Sequence, residues 1–136
     1  MNLTENFTME EMCCSSVART NGIDNIPDEI QSERLKRLCE EILQPIRNKY
    51  GKAIKITSGF RSEKLNNAVS GSKTSQHLKG EAADIICNNN SELWNLILNM
   101  IHDGEIKVGQ LIDEKNLQWI HISLPNSRHI NQILHL

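Results

Sequence analysis

The chain has 136 residues, 38% of them hydrophobic and 24% charged, the size and composition of one domain with one core. Fifteen Lys and Arg against seventeen Asp and Glu give a formal charge of −2, which excludes a nucleic-acid binder driven by a basic surface. No apolar run reaches the roughly 18 residues of a membrane span, and Met1-Asn2-Leu3-Thr4-Glu5-Asn6 has neither a cationic nor an apolar leader. The expectation is therefore no signal peptide, no membrane insertion and synthesis in the cytoplasm.

Phe7-Thr8-Met9-Glu10-Glu11-Met12 opens the first predicted element. Thr8 and Glu11 have capping-box spacing, with Phe7 and Met12 at the two staple positions. A short helix should follow and stop before Asn21-Gly22, and Ile23-Asp24-Asn25-Ile26-Pro27 reads as a loop. From Pro27 a long amphipathic helix is predicted, because Leu35, Leu38, Cys39, Ile42, Leu43 and Ile46 recur at helical spacing. Pro45 should kink it or tighten its last turn, and Tyr50-Gly51 ends it. Residues 53–57 alternate as a strand, 62–69 suit a short polar helix, and Gly71 to Leu78 reads as a loop.

Glu81 to Cys87 is the next strand, with Ala82, Asp84 and Ile86 on one face and Ala83, Ile85 and Cys87 on the other. Ser91 is expected to cap a helix carrying Leu93, Trp94, Ile97, Leu98 and Ile101, which ends near Asp103-Gly104. Further strands are predicted at 107–112, 118–123 and 129–134. The order implies an α+β fold: a single domain over 1–136 with helices packed on a small antiparallel sheet. Cys13, Cys14, Cys39 and Cys87 form no Cys-x-x-Cys pair, so reduced thiols are expected, with Cys39 and Cys87 as small core residues.

The chemistry concentrates in Ser75-Gln76-His77-Leu78-Lys79-Gly80-Glu81-Ala82-Ala83-Asp84. An aspartate inside Ala-Ala-Asp-Ile-Ile is costly to bury unless something pairs it. A cation resolves that conflict, and His121 in Trp119-Ile120-His121-Ile122-Ser123 offers a further ligand from another apolar strand. His, Asp and His around one metal leave a position for water, the layout of a catalytic zinc site. The same residues also admit a hydrogen-bonded core network without metal.

Ser75-x-His77-x-x-Gly80-x-Ala82-x-Asp84 followed by Trp119-x-His121 resembles the M15 zinc peptidases, the D-Ala-D-Ala carboxypeptidase family that includes phage endolysin peptidases. Ile56-Thr57-Ser58-Gly59-Phe60-Arg61-Ser62 is similar to that family's Ser-Gly-aromatic-Arg-Ser element. Leu65-Asn66 and Gly71 to His77 look like its prophage and Bacteroides-type members, as do Asn6-Phe7-Thr8 and Ile23 to Pro27. The resemblance implies a hedgehog-like fold and zinc (Zn2+) ligated by His77, Asp84 and His121. Arg61 would hold a substrate carboxylate or the developing oxyanion, its alternative role being a loop-anchoring ion pair. Ser75 would bind substrate or simply bond its own loop.

Many family members carry an acid three residues before the last histidine, where this chain has Gln118. Glu114, in Gln110-Leu111-Ile112-Asp113-Glu114, matches the upstream glutamate of the prophage-type subgroup and is taken as general base, with Asp113 second. His102, His129 and His135 have no partner pattern, Trp94 belongs to a helix core, and Trp119 walls the site or joins the core. The implied activity is a zinc metallopeptidase, a hydrolase that cuts peptidoglycan stem peptides as a D-Ala-D-Ala carboxypeptidase or L-Ala-D-Glu endopeptidase. Its implied role is cell wall degradation, with holin-dependent release if it is a phage lysis enzyme. The alternative is a non-catalytic zinc-binding module of the same fold, acting in wall binding or as a phage structural part.

Overall fold

The computed structural model describes Met1–Leu136. Thr8 caps the first helix as its sequence predicts: its hydroxyl accepts from the Glu11 N–H at 3.1 Å, and the Glu11 carboxylate accepts from the Thr8 N–H at 2.9 Å. That helix, α1 (Met9–Met12), is only one turn long. Ser15 starts a second helix, α2 (Ser16–Asn21), by accepting from the Ala18 N–H, so two short helices stand where one was expected. Phe7 and Met12 are both buried, as the staple positions require.

The long amphipathic segment begins at Asp28, which shares a reciprocal cap with Gln31. It runs as α3 (Glu29–Leu38), a π-helical turn (Cys39–Leu43) and α4 (Gln44–Tyr50). Pro45 neither kinks it nor tightens its last turn. Instead the turn before the proline widens, and the Gln44 N–H reaches back to the Cys39 carbonyl. A wide turn moves the preceding carbonyls off the position where the pyrrolidine ring would strike them. The apolar stripe Leu35, Leu38, Cys39, Ile42, Leu43 and Ile46 stays buried throughout.

Five strands follow: β1 (Lys55–Ser58), β2 (Ala82–Ile86), β3 (Gln110–Glu114), β4 (Trp119–Ser123) and β5 (Gln132–His135). Their order in the sheet is β1-β2-β4-β3-β5. The first four pair antiparallel, but β5 runs parallel to β3, so the sheet is not wholly antiparallel as expected. Between β1 and β2 lie α5 (Glu63–Ala68) and a 3₁₀ turn (Gln76–Lys79) within the expected loop. Between β2 and β3 lies α6 (Asn90–His102). Asn89, not Ser91, caps α6, because its side chain accepts from the Glu92 N–H. No helix is long and apolar enough to cross a membrane.

One face of the sheet is apolar. Ile56, Ala83, Ile85, Ile120, Ile122 and Leu111 join Leu93, Ile97 and the α3–α4 stripe in a continuous core. Period-two alternation then puts Ser58, Asp84, His121 and Ile112 on the other face. These four stand in register across four strands: Ser58 opposite Asp84, Asp84 opposite His121, His121 opposite Ile112. A bulge between Ile56 and Ser58 brings Ser58 into this row.

Candidate metal centre

Asp84 and His121 come from adjacent central strands, and His77 is delivered over them by the 3₁₀ turn. Ser75 begins that turn by accepting from the His77 N–H at 3.2 Å. Gly80 ends it in the left-handed region at φ 75°, where a side chain would also meet the Gln31 carbonyl. The spacing His-x-x-Gly is thus the length of one capped turn. One ligand atom from each of His77, Asp84 and His121 lies within 4.8 Å of the others. The two imidazoles meet edge to face, with centroids 5.2 Å apart.

The proton positions follow from the partners. Gly59 O can only accept, so His77 Nδ1, at 2.7 Å, carries the hydrogen. His77 Nε2 then presents a lone pair 3.3 Å from Asp84 Oδ1. His121 Nε2 lies 2.8 Å from Gln76 Oε1, another acceptor, which leaves His121 Nδ1 facing the same Asp84 oxygen at 3.0 Å. Two lone pairs and a carboxylate oxygen converge with no hydrogen between them. Such a cluster needs a cation, either protons on the rings or a metal ion. Burial pushes the Asp84 carboxyl up, but protons on the rings outweigh it: His121 and His77 then donate to the carboxylate, face it with positive charge and hold it below the ordinary carboxylate range. Two imidazole nitrogens and one carboxylate oxygen form a donor set that fits zinc and leaves a position open.

Arg61 emerges from the end of β1 beside this row. Its Nε donates to Ser58 Oγ at 3.3 Å and its Nη1 to Asn66 Oδ1 at 3.0 Å. The guanidinium is half-buried and makes no ion pair, so its anchors are neutral and its charge is unspent. Burial lowers its pKa, and the nearby Asp84 charge works in the opposite direction. Arg61 lines a groove of about 310 Å³ with Ser58 and Phe60. A second cleft of about 460 Å³ holds His121, Glu114, Gln76 and Ser75, with Lys73, Lys79, Arg128 and His129 around it.

Glu114 shares the face of Ile112 and His121 and lines the His121 cleft. Asp113 does not. It pairs in register with Ile120 on the opposite face, where it accepts from the Leu117 N–H at 2.6 Å and contacts His135 Nδ1 at 3.2 Å. Gln118 closes the β3–β4 turn through its backbone, donating to the Glu114 carbonyl. Trp119 is outside the buried core, on the face of Glu114, with Lys115 Nζ over its ring at 5.5 Å. Trp94 is buried in the core as expected.

The sequence patterns assign no role to Gln76 or His129, yet both reach the cleft. Their positions depend on loops that meet only in three dimensions. The one local signal is Asn126, whose side chain accepts from the N–H groups of both Arg128 and His129 and so fixes that loop. All four cysteines are free. Burial pushes the Cys39 thiol up to about 12, as suits a core residue, whereas Cys87 is only partly buried.

The sequence model of one protein family, described as Peptidase M15, matches residues 5–123. That span contains β1 to β4 and every residue of the row from Ser58 to Ile112. No curated protein matches the chain.

Proposed function

The chain belongs to the peptidase M15 family, and on that premise we propose that it is a zinc-dependent hydrolase of peptidoglycan stem peptides. The observation that carries this reading is the convergence of His77 Nε2 and His121 Nδ1 on one Asp84 oxygen with no hydrogen to share. His77, Asp84 and His121 would hold Zn2+, which when bound would supply Lewis acidity to the scissile carbonyl and to water.

Glu114 accepts the proton of the attacking water and returns it to the leaving amine as the C–N bond breaks. The guanidinium of Arg61 holds a substrate carboxylate or the oxyanion, a task suited to a planar donor with spare N–H groups. Ser75 lies near enough to line the substrate cleft while its hydroxyl keeps the His77 turn closed. Stem peptides carry free carboxylates, and the Lys73, Lys79 and Arg128 side chains beside the cleft suit that charge. Grooves at both ends of the row favour an internal bond such as L-Ala-D-Glu over a terminal D-Ala-D-Ala.

The test is zinc content and release of wall fragments, measured together for wild type and Glu114→Gln. Expected are about one zinc per chain in both proteins and a rate loss in the variant of roughly 10²- to 10⁴-fold. Undiminished activity in Glu114→Gln would overturn the base assignment. Zinc binding without cleavage by wild type would favour the non-catalytic module, the reading that Gln118 in place of an acid supports.

A further inference from the structure

His77 and His121 have their ring hydrogens fixed by different kinds of partner. His77 uses a backbone carbonyl, Gly59 O, which the fold supplies whatever side chains surround it. His121 cannot do the same. It sits on β4, between β2 and β3, where the neighbouring carbonyls are committed to the ladder. Its Nε2 instead meets the Gln76 side chain at 2.8 Å, and no other protein group lies in hydrogen-bond contact with that nitrogen.

We propose that Gln76 is a positioning residue for the metal centre, holding His121 in the Nε2–H tautomer so that Nδ1 is the nitrogen offered to the metal. The proposal rests on the zinc-site reading above and deepens it. The turn that carries Gln76 is well fixed: Ser75 caps it, and the Gln76 carbonyl accepts from the Glu81 N–H at 3.1 Å. Consecutive residues of one turn therefore do separate jobs. His77 supplies a ligand, and Gln76 orients the ligand that arrives from β4. An amide accepts this hydrogen bond without adding charge, so Asp84 remains the one anion among the ligands and the metal keeps more of its Lewis acidity.

Gln76→Leu keeps the shape and removes the acceptor, whereas Gln76→Glu keeps the acceptor. Long-range ¹H–¹⁵N spectra of the zinc-loaded proteins report directly which ring nitrogen of each histidine keeps its hydrogen. Wild type and Gln76→Glu should show His121 as Nε2–H, and Gln76→Leu should show both forms, with His77 unchanged in all three. Zinc affinity, by competition with a chelating dye, should fall roughly 10- to 100-fold in Gln76→Leu and recover in Gln76→Glu. A Gln76→Leu protein with the wild-type tautomer and wild-type zinc affinity would overturn the role of Gln76. Wild type that binds no zinc would overturn the zinc site itself, whereas wild type that binds zinc with the hydrogen of His121 on Nδ1 would overturn the role of Gln76 alone.

Discussion

Asp84 is the residue on which the site turns, because both imidazoles aim at a single one of its oxygens. Asp84→Asn keeps the volume and removes the charge, so it should lose zinc binding at concentrations that saturate wild type, read by metal analysis after dialysis. It should also change the metal-free acid response. The folded carboxyl has a lower pKa than the usual 3.8, so the unfolded chain takes up the proton first as pH falls. The Asp84 contribution is then complete above about pH 5 and is lost progressively as pH falls through and below the ordinary carboxylate value. Thermal melts of chelated protein between neutral and acid pH should show a steeper acid-side decline in wild type than in Asp84→Asn. Equal slopes would mean that His77 and His121 do not stabilise the Asp84 anion.

At the level of elements, the contact between α1 and the end of β1 matters most for the site. A Cβ on Gly59 would lie 2.2 Å from the Met12 carbonyl oxygen, so Gly59→Ala must push these elements apart. The cost should be about 1–3 kcal/mol in urea denaturation, and zinc affinity should fall as well, because Gly59 O moves away from His77 Nδ1. Thr8→Ala makes the control. It should lose about 1 kcal/mol of cap stability and leave zinc affinity unaltered. A Gly59→Ala protein that loses stability but binds zinc normally would show that His77 does not depend on this contact. Much of this level was legible in the sequence. The Thr8–Glu11 box, the alternation of Ala82 to Ile86 and the His77–Asp84 spacing are local patterns that local geometry realised, whereas His121, 37 residues beyond Asp84, joins them through strand pairing and was legible through the family resemblance. The Ser15 cap that splits the first helix and the wide turn before Pro45 were missed because each competes with a continuing helical pattern. Parallel pairing of β5 was invisible for another reason: Gln132-Ile133-Leu134-His135 carries no sign of direction, which is set by the loop that returns the chain beside β3. Gln76 and His129 gain meaning only when separate loops close over one cleft.

Across the whole molecule, charge is distributed against the average. The chain carries a formal −2, yet the His121 cleft is lined by Lys73, Lys79 and Arg128 with Glu114 as its acid, and none of these cations has an ion-pair partner. Such a field would draw an anionic peptide toward the His77–Asp84–His121 cluster and would weaken with salt. Arg128→Gln and Lys73→Gln should each raise KM several-fold for a stem peptide with free carboxylates, with kcat nearly constant and the difference shrinking at high salt. Equal KM values for amidated and free-acid peptides in wild type would contradict that role. In the proposed function His77, Asp84 and His121 hold a zinc ion that serves peptide hydrolysis in the wall. That function is tested most directly by mass spectrometry of peptidoglycan incubated with the untreated protein, the chelated protein and the chelated protein given back zinc. New stem-peptide termini are expected in the first and third samples and none in the second. Termini that persist after complete zinc removal, or zinc-loaded protein that produces none, would contradict it.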